Sequence, residues 1–573
     1  MKYKTVLLAF LILSQLNHNV SAQQDNQVKN IIMLIPDGTS MDILALSRWY
    51  KYGICQQDAC WLNIDPYITG LVKTHSSDAP IGDSAPTGST YATGYLSRTG
   101  FVATYPTSSG KDKDLVPVDP KRAYQPLYTI LEAAKYNGKS TGLVFTCQFP
   151  HATPADFSAH TPKRDKYFDI SKQMVYNRLN VVFGGGTQYL SPEKRDDKED
   201  LVSVLKQKNY KYVTSRQEFS GIGASDSLVW GLFAPDALPY DIDRDKDAVP
   251  SISEMTKKAL EVLSQNKKGF FLMVEGSKVD WAAHNNDPVG IVTEFLAFDE
   301  AVKEAIDFAK KDGNTAVIVC PDHGNSGISV GGPRTRSGYD TLGVLSLIEP
   351  LRNCKLTSEG MADKVAKTTN DEQIGDIFKE YASISLTKEE LESINTAKKS
   401  SGLSKTIAKI FTDRSFVGFT TTGHTGEDVM LAVYHPNNYR LGGVVQNSQV
   451  NAYMREISGN VNLDELTQKF YSPDSVALKG LSWSITPKVD TLNTTQYAKL
   501  IVRKTPKSKM WAEIKAYTDF ATIYNNNKVV KTIPLNSVVV YNYLEDKNNK
   551  KKLIMQRFYG PQNLSEILMK ELK

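Results

Sequence analysis

Short apolar runs alternate with amphipathic stretches over most of the chain up to about residue 460. This alternation is typical of strand–helix units, and it predicts a mostly parallel sheet covered by helices on both faces. Several runs stop at polar residues, as in NIIMLIPDG, TGLVFTCQFPHATP, GFFLMVEG and NTAVIVCPDHG. Ligands in open α/β sheets bind beyond the carboxyl ends of the strands, so the residues after these runs are predicted to meet there.

Acidic and histidine side chains are concentrated at these strand ends. Taken singly, Asp37 before a glycine is most simply a turn residue, and His284 a surface or packing residue. Asp280 and His284 lie four residues apart, however, and therefore share one face of a helix. Carboxylates and imidazoles together are ligands that zinc accepts. The set therefore predicts a metal site.

Six segments resemble the motifs of the alkaline phosphatases in order and rough spacing, and the bacterial members most closely. They are PDGTS, DSAPTGSTYATG, HATPADF, VEGSKVDWAAH, PDHGN and GHTGEDV, within about residues 28 to 455. The resemblance implies an α/β fold with a mostly parallel central sheet flanked by helices, a helical insertion and a small β-rich C-terminal extension. It also implies a secreted, metal-dependent phosphomonoesterase that releases inorganic phosphate through a phosphoserine intermediate.

Carried over position by position, the resemblance implies two zinc ions and one magnesium ion. The ligands of the first zinc would be Asp280, His284 and His424. Those of the second zinc would be Asp37, Asp322, His323 and the hydroxyl oxygen of Ser84. Those of magnesium would be Asp37, Thr153 and Glu275. Each motif position holds a suitable residue, so nothing in the sequence of the metal centre indicates a pseudoenzyme.

Two positions near the magnesium site vary within the family. His151 stands where some relatives carry aspartate, and Trp281 stands where others carry lysine or histidine. The pair occurs in one bacterial branch, and it puts tight retention of magnesium in doubt. Trp281 is equally well explained as a packed aromatic wall.

Ser84 follows Asp83 in a loop of small residues, APIGDSAPTGSTYATGY. An Asp-Ser pair at a loop-to-helix boundary is most often an N-cap. Beside a metal, however, the serine hydroxyl can be activated without an adjacent base, so Ser84 is the expected nucleophile. Arg164 matches the arginine of the family that grips phosphate, and Asp83 could orient it. Lys163 is the weaker candidate, because lysine meets phosphate only as a point charge.

Three competing functions have different support in the sequence. A sulfatase is excluded because the nearest approach to its C/S-x-P-x-R motif, SAPTG, has Gly88 in place of the arginine. A phosphodiesterase of the same superfamily is weakened by Thr153 and Glu275, which supply the third metal site of monoesterases. A surface-binding protein built on a phosphatase scaffold remains open, although the intact ligands argue against it.

Domain organisation follows from composition. Residues 1–22 read as a signal peptide, and no later stretch is long and apolar enough to cross a membrane, so a periplasmic or secreted protein is expected. Residues 23–459 are predicted to form the catalytic domain, with a peripheral helical insertion at 330–415. Residues 461–573 hold 18 Lys+Arg against 10 Asp+Glu, whereas the rest hold 50 against 53, which marks a basic extension from 460 to 573.

The extension could be a packing module, a cell-surface module or part of an oligomer interface. The expected substrates are small phosphate monoesters, no nucleic-acid partner is expected, and a homodimer is one open arrangement. Among five cysteines, Cys55 and Cys60 are the pair best placed for a disulfide, with two free thiols as the alternative.

Overall fold

The computed structural model describes residues 26–55, 61–110, 112–336, 338–486, 498–545 and 553–573. The predicted signal peptide lies outside the described residues. Cys55 is disulfide-bonded. Cys60, the partner predicted for it, also lies outside the described residues. In the described part of the chain, no helix is both long and apolar enough to span a membrane.

Ten strands form the central sheet, and two further pairs lie beside it. The strands up to residue 446 are β1 (Asn30–Pro36), β2 (Ile68–Lys73), β3 (Ser140–Gln148), β4 (Val181–Gly185), β5 (Lys211–Val213), β6 (Val229–Leu232), β7 (Phe270–Gly276), β8 (Thr315–Val319), β9 (Gly324–Asn325), β10 (Ser329–Val330), β11 (Val417–Gly418), β12 (His424–Thr425), β13 (Val429–Tyr434) and β14 (Gly443–Gln446). The order in the central sheet is β14-β2-β13-β8-β1-β7-β3-β4-β6-β5. Only β13 runs antiparallel to its neighbours β2 and β8.

Helices cover both faces of this sheet. They are α1 (Met41–Cys55), α2 (Ser84–Thr93), α3 (Ile130–Tyr136), α4 (Ala152–Asp156), α5 (Tyr167–Tyr176), α6 (Leu201–Gln207), α7 (Arg216–Ser220), α8 (Ile252–Leu263), α9 (Lys278–His284), α10 (Pro288–Asp312), α11 (Val344–Arg352), α12 (Ser358–Val365), α13 (Asp371–Ala382), α14 (Lys388–Ala397), α15 (Leu403–Arg414) and α16 (Asn447–Ile457). Short 3₁₀ helices occur at Asp65–Tyr67, Thr187–Tyr189, Pro333–Thr335 and Tyr339–Thr341.

The local sequence explains these elements. Strands β1, β7 and β8 are buried throughout, which is why they read as continuous apolar runs. Helix α8 begins with a capping box between Ser251 and Glu254. Helix α10 begins at the side-chain cap of Asp287 and ends at Gly313, which has a φ of 69°. The predicted α/β class, with a mostly parallel sheet between helices, is confirmed.

Helices α11 to α15 fall within the segment predicted as a helical insertion. The chain from residue 463 contains α17 (Leu463–Phe470), β15 (Ser472–Pro473), α18 (Asp474–Ala477), β16 (Ser482–Thr486), β17 (Lys499–Arg503), β18 (Met510–Lys515), β19 (Phe520–Asn525), β20 (Lys528–Pro534), β21 (Val540–Glu545), β22 (Leu553–Gly560) and α19 (Leu564–Glu571). Strands β16 to β20 form an antiparallel sheet, and β15, β22 and β21 form another. The predicted β-rich character of this region is confirmed.

The C-terminal region packs against the central body through buried and partly buried polar contacts. The hydroxyl of Tyr471 donates to Glu132 at 2.7 Å and lies 2.8 Å from Nε2 of His160. Asp519 accepts hydrogen bonds from Arg178 at 2.7 Å and from Lys208 at 3.1 Å. These contacts fix the C-terminal sheets on the central body.

Candidate metal centre

Four neighbouring strands lead to most of the candidate site residues, whereas His424 lies on β12 and Ser84 begins α2. Strands β8, β1, β7 and β3 are adjacent and parallel, so their carboxyl ends meet at one edge of the sheet. The turn after β1 is tight: the backbone N–H of Gly38 donates to Asp322 at 3.1 Å. Gly38 has a φ of 61°, and a Cβ there would lie 2.4 Å from a carboxylate oxygen of Asp280. Only glycine fits this turn.

The first group consists of Asp280, His284 and His424. Nε2 of His284 lies 3.4 Å from Asp280 and 3.1 Å from Nε2 of His424. The Nδ1 atoms are held by backbone carbonyls, that of His284 by Thr422 at 2.7 Å and that of His424 by Gly82 at 2.9 Å. These bonds turn both Nε2 atoms toward the carboxylate, which is how ligating histidines are oriented.

The second group consists of Asp37, Asp322 and His323, all fully buried. Nε2 of His323 lies 3.3 Å from Asp37 and 3.5 Å from Asp322. One oxygen of each carboxylate is buried without a hydrogen-bond partner among the described residues. The hydroxyl of Ser84 is 3.5 Å from Asp37 and 3.4 Å from Nε2 of His323. The serine therefore lies at the edge of this group.

The third group consists of Cys147, His151 and Glu275, which are buried at the ends of β3 and β7. Sγ of Cys147 donates to Glu275 at 3.3 Å. Thr153 lies beside the same carboxylate, and its hydroxyl is buried there without a hydrogen-bond partner among the described residues. Sequence reasoning assigned Thr153 and Glu275 to this place but missed Cys147, although it follows the same apolar run, GLVFTCQ.

The charges of these groups are strongly coupled. Burial raises the pKa of Asp37, and the neighbouring carboxylates of Asp322 and Asp280 raise it further. Burial alone would also raise the pKa of Asp280, but the hydrogen bond with His284 and the charge of His323 lower it below its usual range. So many buried acids in one place are unfavourable without positive charge, which a bound cation would supply.

Arg164 lies beside Asp83, the residue before the serine. Its guanidinium contacts the carboxylate of Asp83 and lies 3.2 Å from Nε2 of His151. Burial alone would raise the pKa of Asp83, but Arg164 lowers it, so the pair is charged. The ring of Trp281 meets that of His151 edge-on at 5.9 Å, as a packed wall would.

Ser84 is the first residue of α2, and Asp83 occupies the N-cap position without making a side-chain cap bond. The carboxylate of Asp83 is therefore available to Arg164. All ten residues of α2 are buried. The start of a buried helix presents unpaired N–H groups, which favour a bound anion.

A cavity of about 470 Å³ lies next to the first group. It touches Asn285, which follows His284, and Thr422, whose carbonyl binds the same histidine. Its other walls include Phe416 and Phe419, and Lys405 of α15. The cavity is thus bounded partly by the helical insertion.

Comparison with known proteins gives a consistent result. The family model described as alkaline phosphatase matches residues 28–459. Alkaline phosphatase 4 of Bacillus subtilis is 36% identical over 438 residues, which cover 74% of this chain and 88% of the relative. An alkaline phosphatase of Schizosaccharomyces pombe is 28% identical over 498 residues, covering 80% and 87%.

Solved structures are similar over the same part of the chain. The alkaline phosphatase of Thermus thermophilus has a TM-score of 0.67 and 26% identity, covering 76% of this chain and 92% of its own. The cold-active alkaline phosphatase of Shewanella sp. has a TM-score of 0.65 and 27% identity, covering 75% and 99%.

Proposed function

The chain belongs to the alkaline phosphatase family and is a phosphoric monoester hydrolase, and we propose that it acts through a phosphoserine at Ser84 beside a cluster of divalent ions. One observation carries the proposal. The hydroxyl of Ser84 lies within 3.5 Å of both Asp37 and His323, at the start of a buried helix. A nucleophile, potential metal ligands and an anion-binding helix start therefore share one place.

The first and second groups fit zinc. Each offers carboxylate oxygens and imidazole nitrogens, and the buried oxygens of Asp37 and Asp322 lack hydrogen-bond partners among the described residues. The first zinc would be held by Asp280, His284 and His424, and the second by Asp37, Asp322 and His323. When bound, such ions lower the pKa of nearby hydroxyls and water and stabilise negative charge on phosphoryl and leaving-group oxygens.

The resemblance assigns a third ion, magnesium, to Asp37, Thr153 and Glu275. Their oxygens suit a hard cation, whereas the thiol of Cys147, 3.3 Å from Glu275, does not. The proposed reaction places no step on this third ion.

Ser84 would carry out the chemical steps. Its hydroxyl gives up its proton to solvent, and the oxygen attacks phosphorus while the bond from phosphorus to the ester oxygen breaks. The ester oxygen takes up a proton from solvent and leaves as the alcohol. Water then cleaves the phosphoserine, which restores the serine hydroxyl and releases inorganic phosphate. Arg164 would hold two phosphoryl oxygens through paired, charge-assisted hydrogen bonds, and Asp83 would orient its guanidinium.

The leaving group has a suitable place beside the first group. The cavity of about 470 Å³ is lined by Asn285, which follows His284, and by Thr422, whose carbonyl holds His284, and its size is in the usual range for small-molecule sites. We therefore place the alcohol part of the substrate there.

Export through the N-terminal segment, to the periplasm or the medium, belongs to the same proposal. The homodimer and the separate basic extension at residues 460–573 remain predictions.

Turnover of p-nitrophenyl phosphate and of bis-p-nitrophenyl phosphate, with and without a chelator, tests the proposal. We expect chelator-sensitive monoester hydrolysis well above diester hydrolysis. A preference for the diester would favour the phosphodiesterase alternative, and no chelator-sensitive turnover would favour a surface-binding protein.

Substitution of Ser84 tests the intermediate. Ser84→Ala should lower kcat by at least roughly a hundredfold and abolish covalent labelling by phosphate, because the acceptor oxygen is removed. Ser89→Ala on the same helix is the matched control and should keep the label. Labelling of the Ser84→Ala protein would show that the nucleophile is another residue.

A further inference from the structure

The third group contains donor types that magnesium does not select. Magnesium binds oxygen ligands in near-octahedral geometry, whereas thiolate and imidazole are ligands of zinc and similar ions. We propose that this site binds a borderline divalent ion such as zinc, with Cys147 as one of its ligands. The proposal assigns to Cys147 a direct bond to the metal.

The geometry of the group supports a shared ion. The ligand atoms of Cys147, His151 and Glu275 all lie within 4.8 Å of one another. Two donor atoms that each lie about 2.0 to 2.3 Å from the same zinc ion are roughly 4.8 Å or less apart from each other. The three residues come from the ends of two adjacent strands, so the backbone holds them in place.

Buried polar atoms without hydrogen-bond partners give independent support for a bound ion at this site. Two buried oxygens at this place have no hydrogen-bond partner among the described residues, and they are Oγ1 of Thr153 and Oε1 of Glu275; Nδ1 of His151 is unpaired as well. Buried polar atoms are rarely left unpaired, because desolvation is then uncompensated. A cation would satisfy the acceptors.

A purely supporting role for Cys147 is the alternative. The thiol would then keep its proton and its hydrogen bond to Glu275, while oxygens alone hold the ion. The two roles differ in one bond. In the proposed role the thiol proton leaves to solvent and a sulfur lone pair binds the ion, with no change of oxidation state.

We expect His151 to bind the ion only when Arg164 has turned away from it. The guanidinium of Arg164 lies 3.2 Å from Nε2 of His151, and arginine can only donate, so the ring proton lies on Nδ1. The ring can offer Nδ1 to an ion once Arg164 turns away, for example to a bound phosphate. Cys147 and Glu275 do not depend on that movement.

Cobalt(II) is the probe that reports a sulfur ligand directly. The metal-stripped full-length protein is titrated with cobalt, and bound ions are counted by elemental analysis. We expect three equivalents and an intense thiolate-to-cobalt absorption band in the near ultraviolet. Excess magnesium should leave the band in place.

Cys147→Ser and Cys354→Ser form a matched pair of variants. Serine at 147 keeps a donor to Glu275 but removes the soft ligand, so the band should vanish and the third ion should bind at least about tenfold more weakly. Cys354 is buried in the helical insertion, where its thiol donates to the carbonyl of Pro350, and it belongs to none of the three groups, so its variant should keep the band. Circular dichroism of both variants verifies that they fold.

The proposal builds on the metal-dependent function proposed above, yet its failure is separately visible because turnover is not the readout. Three equivalents without the band, or a band that persists in Cys147→Ser, would overturn the role of Cys147. A third equivalent that magnesium displaces would also overturn it. Binding of no cobalt at all would overturn the proposed function as well.

Discussion

Arg164 illustrates how a single side chain can link the serine to the third group. Its guanidinium contacts Asp83, the neighbour of Ser84, and reaches His151 at 3.2 Å. Its planar fork can exchange such partners for two phosphate oxygens, which the ammonium of a lysine cannot match.

Arg164→Ala should therefore lower kcat/KM for p-nitrophenyl phosphate by roughly ten- to a hundredfold. Hydrogen bonds to charged groups contribute about 1.5 to 3 kcal/mol, and the same loss should weaken inhibition by inorganic phosphate. Lys163→Ala is the control and should change kcat/KM much less. The reverse ranking in steady-state kinetics would assign the phosphate contact to Lys163.

At the scale of elements, α2 and α4 are packed face to face behind the nucleophile. Oγ of Ser89 donates to Asp156 at 2.7 Å and accepts from the backbone of Ala103 at 2.7 Å. A Cβ on Gly88 would lie 2.4 Å from the other oxygen of Asp156. The close approach of the two helices thus requires glycine, and it positions the start of α2.

Gly88→Ala should lower the free energy of unfolding by about 1 to 3 kcal/mol, because an added methyl group overpacks this contact. In an exposed helix the same change would be favourable by about 1 kcal/mol. Urea unfolding and kcat should both report the effect. The double variant Gly88→Ala with Asp156→Ala removes the facing carboxylate and should recover part of the stability, and additive losses would contradict the contact.

At the scale of the whole molecule, the C-terminal sheets are docked through polar groups that lie between them and the central body. Asp169 of α5 is buried and faces the hydroxyls of Tyr517 at 3.5 Å and Tyr543 at 3.3 Å. Burial raises its pKa from 3.8 to about 6, although Lys166 and other cations oppose the rise. The folded protein therefore favours the protonated acid.

The sign of the pH dependence follows from this shift. A carboxyl group with a higher pKa in the folded state stabilises the fold below pH 4, and this contribution is lost as the pH rises to 6. The change from 3.8 to about 6 corresponds to about 3 kcal/mol at most. Asp169→Asn should therefore raise the free energy of unfolding at pH 8 but have little effect at pH 4.

Urea unfolding at the two pH values measures this difference. The exposed Asp376→Asn is the control and should change stability little at either pH. Equal effects of Asp169→Asn at pH 4 and pH 8 would mean that the carboxyl group has the same pKa in the folded and unfolded chain.

Much of the fold and the family could be predicted from the sequence. The α/β class and the family are confirmed, because apolar runs of strand length and six ordered motifs are local signals. The gathering of the acids also followed from a general rule, since adjacent parallel strands end at one edge of the sheet. Asp37, Glu275 and Asp322 could thus be placed together without coordinates.

The resemblance already implied which residues share each of the three sites, and the tertiary structure decided the contacts within them and added Cys147 and His151 to the third. Cys147 resembles any core cysteine in the sequence, and only the register of β3 beside β7 puts its sulfur 3.3 Å from Glu275. His284 and His424 are 140 residues apart, and the carbonyls that orient them come from segments distant in sequence. Contacts of this kind depend on how side chains pack, and local sequence carries no direct record of that packing.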